Sequence, residues 1–144
     1  MSKAKLPKII SGGRHSDERG KVFFVNDFDM NYCKRFYQIT HDNIDFVRAW
    51  QGHKIESKWF YCIRGGFEVK LIEIDNWEAP SQKLDVYHFT IDQEKIQILH
   101  IPPGYVNGFR ATQPNSSFII FSDATLESSK ADDIRFEKNY WPIW

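Results

Sequence analysis

The chain carries no excess of charge of either sign: nineteen lysines and arginines balance nineteen aspartates and glutamates. Without a global positive field, nucleic acid is not an expected partner, and the part played by any single arginine has to be argued locally. Cysteine is scarce. Cys33 and Cys62 are the only two, too few and too far apart for a zinc knuckle or a disulfide framework, and they read as buried thiols of a cytosolic protein. No apolar run approaches the length of a membrane span, and the opening MSKAKLPKII lacks the long apolar core of a secretory signal. The expectation is a soluble, cytoplasmic chain with no membrane partner. Helical periodicity is missing too, except over residues 125–135 (TLESSKADDIR), a short and charged stretch. No internal repeat and no low-complexity linker divides the sequence.

What is present is apolar and aromatic residues in strand-like alternation. Of 144 residues, 42% are hydrophobic and 16% aromatic, enough to fill one core and too few for two domains of ordinary size, so residues 1–144 are expected to form a single domain. The organising stretch is residues 47–71, VRAWQGHKIESKWFYCIRGGFEVKL. Side chains two apart share a face of a strand. Gln51 and His53 therefore lead, past an irregularity at residues 55–57, into Lys58, Phe60 and Cys62, a polar rim running onto an apolar floor. Arg64-Gly65-Gly66 predicts a hairpin reversal before Phe67, Val69 and Leu71. Its partner is residues 98–109, ILHIPPGYVNGF, a strand that stops at Pro102-Pro103-Gly104 and resumes.

Further strands are expected at residues 21–25, 35–40, 87–91, 95–101 and 117–121, with Phe36 and Gln38 opposed to Arg35, Tyr37 and Ile39. Residues 11–20, SGGRHSDERG, have turn-forming composition, and residues 75–85 read as a surface excursion with a lone Trp77. The aromatic tail at residues 140–144 suits docking onto the body or a neighbour. Roughly eight to ten short strands separated by turns predict an all-β sandwich or barrel.

Three signatures in order, Asp17-Glu18-Arg19-Gly20, then Val47-Arg48-Ala49-Trp50-Gln51-Gly52-His53-Lys54, then Ile101-Pro102-Pro103-Gly104-Tyr105-Val106-Asn107-Gly108-Phe109, carry a resemblance. The sequence resembles the cupin-fold (RmlC-like) sugar-nucleotide epimerases and ketoisomerases, which include dTDP-4-dehydrorhamnose 3,5-epimerases, dTDP-sugar 3,4-ketoisomerases and WxcM-like domains. Its compact length is nearer the ketoisomerase branch. The resemblance implies a cupin jelly-roll β-barrel with at most one short C-terminal helix, a homodimer, and metal-free isomerisation or epimerisation of a dTDP-linked (or other NDP-linked) 4-keto-6-deoxy sugar in surface-polysaccharide synthesis. It also implies that Arg48 contacts the nucleotide diphosphate and that Arg19 reaches a nucleotide in a neighbouring subunit's pocket. The chain departs from the pattern at Gln51 and Asn107, where the family has histidine.

Those departures bear on the chemistry. Gln51, His53, Glu56 and Asn107 supply at most one imidazole and one carboxylate, so no metal and no other cofactor is expected. Proton abstraction next to a keto group needs a base with a pKa near neutrality and a donor for the developing oxyanion. Amides cannot be that base. His53 is the candidate base, with Tyr37 and Lys58 as acid or oxyanion donors; Arg48, Arg35, Arg19, Gln51, Asn107 and Tyr105 are candidate substrate contacts, and Trp50 and Phe60 could stack on a ring. Each has a structural alternative: a hydrogen-bonded strand histidine for His53, a snorkelling ammonium for Lys58, a core phenol for Tyr37, a surface ion pair for Arg19. His15, His41, His88 and His100 read as structural. Two other readings compete with the enzyme. One is a carbohydrate or nucleotide-sugar binding cupin that kept the pocket and lost turnover; the other is an assembly subunit with Trp141 and Trp144 at an interface.

Overall fold

The computed structural model describes residues 5–144. In chain order the strands are β1 (Lys8–Ser11), β2 (Gly13–Asp17), β3 (Gly20–Phe24), β4 (Arg35–His41), β5 (Val47–His53), β6 (Lys58–Arg64), β7 (Gly66–Glu73), β8 (Tyr87–Asp92), β9 (Gln97–Ile101), β10 (Tyr105–Ala111), β11 (Ser116–Ser122) and β12 (Ile134–Arg135). One helix, α1 (Leu126–Ala131), and a single 3-10 turn at Lys138–Tyr140 complete the elements. They form two five-stranded sheets, ordered β1-β9-β6-β11-β4 and β12-β5-β10-β7-β8, and a β2-β3 ribbon. All pairings are antiparallel. The architecture is an all-β jelly roll.

The two sheets close on one apolar layer. Phe60 and Cys62 of β6, Leu99 of β9 and Phe118 and Ile120 of β11 meet Phe67, Val69 and Leu71 of β7, Ile91 of β8 and Phe109 of β10. Phe67 and Phe118 stack across the sandwich at 3.8 Å between ring centroids. Burying one such side chain is worth about 1.5–3 kcal/mol, so this layer supplies the main force that holds the sheets together.

The same layer explains why the reversal at Arg64-Gly65-Gly66 is not the expected hairpin. β6 pairs with β9 and β11, whereas β7 pairs with β10 and β8, so the chain turns a corner from one sheet to the other. Phe60 and Cys62 thereby enter the core from one side, and Phe67 and Val69 from the opposite side. Gly65 has φ +69°, and a Cβ there would lie 2.1 Å from the Ser116 hydroxyl oxygen, so the corner needs glycine.

Other expectations are corrected in the same way. Residues 11–20, taken for a turn, contain β2, which pairs with β3 in a ribbon that reverses between Asp17 and Gly20. Exposure on both faces left no apolar alternation to read. The helix stops at Ala131 because Asp132 turns back toward the segment after β5 while Ile134 and Arg135 pair with β5. Cys33 is half-buried rather than buried; Cys62 is in the core, and neither forms a disulfide.

The aromatic tail docks on the chain's own body. Trp141 joins Trp50, Ile72 and Val106 in a second apolar cluster, and its Nε1 donates to the Ser81 carbonyl at 3.0 Å. Trp144 packs near Trp50, with the Lys70 ammonium 4.3 Å from its ring. Trp77 is not isolated, since it stacks with Phe136 and roofs Gly52. No helix among the described residues is long and apolar enough to cross a membrane.

Two buried imidazoles, His41 and His53, and the half-buried His100 set an acid limit on stability. His41 stacks on Phe109 at 5.4 Å and His100 on Trp59 at 4.9 Å, while His53 is buried beside Lys58. Burial is the leading cause that holds all three below the ordinary 6.5, and Lys8 and Lys5 help push His100 to about 4. Below pH 6.5 the unfolded chain takes up protons that the folded chain refuses. This contribution to stability is therefore complete above pH 6.5 and is lost as pH falls from 6.5 toward about 4. Thermal melts at pH 7.5 and 5 should show the melting temperature dropping by several degrees, and His100→Phe should remove part of the drop. A melting temperature unchanged between the two would contradict this account.

Candidate active site

An irregularity in β5 builds the cavity. Asn107 opposes Gln51 and Phe109 opposes Arg48, so three steps along β5 match two along β10. Residues three apart on a regular strand point to opposite faces; the extra residue lets Arg48 and Gln51 line the same wall. Two adjoining hollows share that wall. The inner one, about 220 Å³, is lined by Arg35 and Tyr37 of β4, Lys58 of β6 and Asn107 of β10, with Ser129 and Arg135 at one side. The outer one, about 410 Å³, adds Phe46, Trp50 and Phe136.

The cations of the inner cavity are unequally compensated. Arg35 donates to the Glu56 carboxylate at 3.3 Å and to the Ala124 carbonyl at 3.1 Å. Arg135 pairs with Asp133. Lys58 is only 4% exposed, yet its one polar contact among the described residues is the Gln51 side-chain oxygen at 3.5 Å. The Arg48 guanidinium forms no hydrogen bond or ion pair among the described residues, although the main chain of this residue pairs with β10. The ring of Tyr37 lies 5.1 Å from the Arg35 guanidinium and 5.6 Å from the Lys58 ammonium. A cavity with two cations lacking carboxylate partners suits an anionic ligand.

The two amides are oriented by the protein. Gln51 donates from Nε2 to Asp133 at 3.0 Å, which turns its oxygen toward Lys58. Asn107 donates to the Gln51 main-chain carbonyl at 3.2 Å.

His53 lies two residues beyond Gln51 and lines neither hollow. Its Nδ1 is 2.7 Å from the Asp132 carbonyl and 3.3 Å from Glu56 Oε1. Both are acceptors, so Nδ1 carries the proton and Nε2 keeps its lone pair. Nε2 is closed to solvent and has no partner among the described residues. Burial foremost, then the Lys58 charge, hold the ring below its ordinary pKa, against Glu56, the Asp132 carbonyl bond and the Asp132 charge. It is a neutral base at neutral pH.

Behind His53 is a buried carboxylate network. Glu56, 3% exposed, accepts from Ser129 Oγ at 2.7 Å, from Ser122 Oγ and from Arg35. The Asp132 carboxylate accepts three consecutive main-chain amides, Lys54 at 2.8 Å and Ile55 and Glu56 at 2.9 Å. Asp123 caps Ser57 at 2.8 Å. His53, Glu56 and Asp132 offer ligand atoms within 4.8 Å of one another. They do not fit a cation as arranged: both carboxylates are taken up by N–H and O–H donors, and the imidazole nitrogen facing them bears hydrogen.

Of the sequence-predicted residues, Tyr37, Lys58, Arg35, Arg48, Gln51 and Asn107 meet at the inner cavity, as does Phe60. Tyr105 does not. It is a core residue, 1% exposed, whose hydroxyl donates to the Lys5 carbonyl at 3.0 Å. Arg19 sits at the tip of the β2-β3 ribbon and pairs with Asp17 at 2.6 Å, far out in solvent. Trp50 reaches the outer hollow but is mainly packed in the second apolar cluster. Sequence reasoning missed Arg135, Asp132, Ser122 and Ser129. Arg135 and Asp132 lay in a stretch read as helix, and the serines carry no local signal, since their partner lies 66 and 73 residues away.

The fold is similar to that of solved 3,4-ketoisomerases and of an RmlC epimerase. No family model matches the sequence, and no curated protein matches it. A histidine-to-asparagine variant of the 3,4-ketoisomerase QdtA from Thermoanaerobacterium thermosaccharolyticum, in complex with TDP-4-keto-6-deoxyglucose, aligns over 94% of this chain and 91% of its own, at 18% identity and TM-score 0.71. The TDP-quinovose 3,4-ketoisomerase WlaRB from Campylobacter jejuni aligns over 96% and 98%, at 15% identity and TM-score 0.71. The RmlC epimerase of Mycobacterium tuberculosis aligns over 100% and 78%, at 15% identity and TM-score 0.74. At such identities the likeness establishes the fold.

The Asp132 cap should be a large single contributor to stability. Replacing it by alanine strands three amides, and Asp132→Ala is expected to lower the unfolding free energy by about 2–4 kcal/mol in urea titrations. A loss no greater than that of an exposed surface variant would show that the three bonds are not needed.

Proposed function

We propose that the protein is a sugar-nucleotide isomerase or epimerase. Its substrate is a dTDP-linked (or other NDP-linked) 4-keto-6-deoxy sugar, and the reaction is metal-free proton transfer α to the keto group. The observation that carries this is the nearness of a neutral imidazole, protonated at Nδ1 and basic at Nε2, to a buried ammonium that has no carboxylate partner among the described residues. The solved structures of similar fold include complexes with TDP and with TDP-4-keto-6-deoxyglucose, which supports the substrate class.

In this mechanism Arg48 holds the diphosphate, its planar guanidinium matching two phosphate oxygens. The sugar enters the inner hollow with its keto oxygen toward Lys58. His53 Nε2 takes the α proton, the C–H electron pair moves into the carbonyl, and Lys58 stabilises the resulting enediolate with Tyr37 as the nearby acid. Delivery of the proton to the former carbonyl carbon, with the proton of the neighbouring hydroxyl passing to the old keto oxygen, completes a keto shift; a proton given by Tyr37 to the opposite face of the deprotonated carbon inverts it, and His53 and Tyr37 then recover their starting states by proton exchange with solvent. Gln51, Asn107 and Arg35 orient the sugar. Nε2 is closed to solvent, so the substrate carbon reaches it after the cavity wall rearranges.

The setting we propose is cytoplasmic surface-polysaccharide synthesis by a homodimer of this one domain. Exposed Val22, Phe23 and Phe24 on the β2-β3 ribbon support self-association, and Arg19 at its tip would then serve the neighbouring subunit. A second reading is a nucleotide-sugar binding cupin without turnover, favoured by the closed Nε2 and by Gln51 and Asn107, which bond without titrating.

Incubation with TDP-4-keto-6-deoxyglucose in deuterated water separates the two. The enzyme should wash deuterium into the sugar, His53→Ala should lose at least about 100-fold of that rate, and the rate should fall below an acid midpoint lying under 6.5. No exchange over several nucleotide keto sugars, with a TDP-induced rise in melting temperature that Arg48→Ala abolishes, would favour the binding module.

A further inference from the structure

The buried carboxylate behind His53 has no part in the chemistry above. Glu56 lies three residues beyond the imidazole, and both side chains are almost fully buried, at 1% and 5% exposure. Its Oε2 is held by Ser122 and Arg35, and its Oε1 by Ser129, which fixes the plane of the carboxylate and leaves Oε1 3.3 Å from His53 Nδ1. A hydroxyl and a guanidinium do not need a neighbouring histidine to hold a carboxylate in place. The proximity to Nδ1 instead has a consequence at the other end of the ring.

We propose that Glu56 is a positioning residue that fixes the Nδ1–H tautomer of His53 and stabilises the imidazolium formed when Nε2 takes a proton. The base is then the His53–Glu56 pair together with the Asp132 carbonyl. When the substrate C–H bond breaks, the new N–H bond forms at Nε2, the electron pair passes to the enediolate oxygen, and no proton leaves Nδ1. The positive charge that appears on the ring is met by a carboxylate already in place, at no cost of reorganisation. The charged groups facing His53 from each packed element are Lys58 of β6, which opposes protonation, and Glu56 and Asp132, which favour it; Asp133 lies nearby, and Arg35 of β4 sits behind Glu56. Removing Glu56 leaves the Lys58 charge less opposed. As a statement about turnover the proposal rests on the isomerase reading, but the pairing itself can be tested without turnover.

The test is imidazole NMR titration of His53, assigned by its loss in His53→Gln, in the wild-type chain, Glu56→Gln and Ser129→Ala. Glu56→Gln should lower the His53 midpoint by about one pH unit, a tenfold fall in proton affinity. Ser129→Ala takes a hydroxyl donor off Oε1, leaves that oxygen freer for Nδ1, and should raise the midpoint. Deuterium exchange into TDP-4-keto-6-deoxyglucose should follow: kcat down about tenfold in Glu56→Gln with KM little changed and the acid limb moved in the same direction as the NMR midpoint, and partial recovery in Glu56→Asp. A His53 midpoint that stays where it was in both variants overturns the proposal, as does one that moves opposite to these directions. If Glu56→Gln fails to fold, the direction of the shift in Ser129→Ala decides. If the wild-type chain catalyses no exchange, the isomerase reading fails while the titration still decides the pairing.

Discussion

One carboxylate ties the two ends of this molecule's working region together. Asp132, just past helix α1, accepts hydrogen bonds from three successive amides in the turn between β5 and β6 while its carbonyl holds His53. A turn of this kind exposes several donors in one direction, and a single anion satisfies them better than separate neutral groups would. The consequence runs both ways. The turn acquires a defined shape, which sets Glu56 behind the imidazole, and the helix ends at Ala131 because the residue after it is needed elsewhere.

Around that anchor, charge is distributed by depth. Glu56 and Asp132, deep in the wall, are saturated by protein donors, so they hold their shape whether or not a ligand is present. Lys58 and Arg48, toward the cavity, have no carboxylate partner among the described residues and leave an unbalanced positive wall. Burial of an unpaired cation is costly, and a protein retains one where the partner comes from outside. The amides of Gln51 and Asn107 fit this division: they keep the cavity wall polar and hydrogen-bonded without adding charge to it.

The scaffold that carries this site is stiffened by aromatic packing on both faces of the second sheet. Phe67, Phe109 and Phe118 fill the inner layer, and Trp50, Trp77, Phe136 and Trp141 cover the outer one. The segment after α1 carries both Trp141 and β12, whose Arg135 lines the cavity. Phe136 belongs to both, packing in the outer cluster and lining the outer hollow.

Much of the fold was legible in order of residues alone, because alternation over β4, β6, β8 and β11 reflects a local rule: neighbours on a strand face opposite ways whatever the rest of the chain does. Part of the site's outline was too, since Gln51, Lys58 and Tyr37 fall on strand positions that a spacing argument can reach, whereas Arg48, three residues from Gln51, shares their wall only through the irregularity in β5. Local rules could not say that the reversal at Gly65 crosses between sheets, because hairpin and corner use the same residues and differ only in which strand lies alongside. Nor could they show Tyr105 drawn into the core, or Ser122, Ser129 and Asp132 gathered behind His53. Those placements depend on groups 66 to 79 residues apart becoming neighbours, and only closure of the two sheets over a shared apolar layer brings them together.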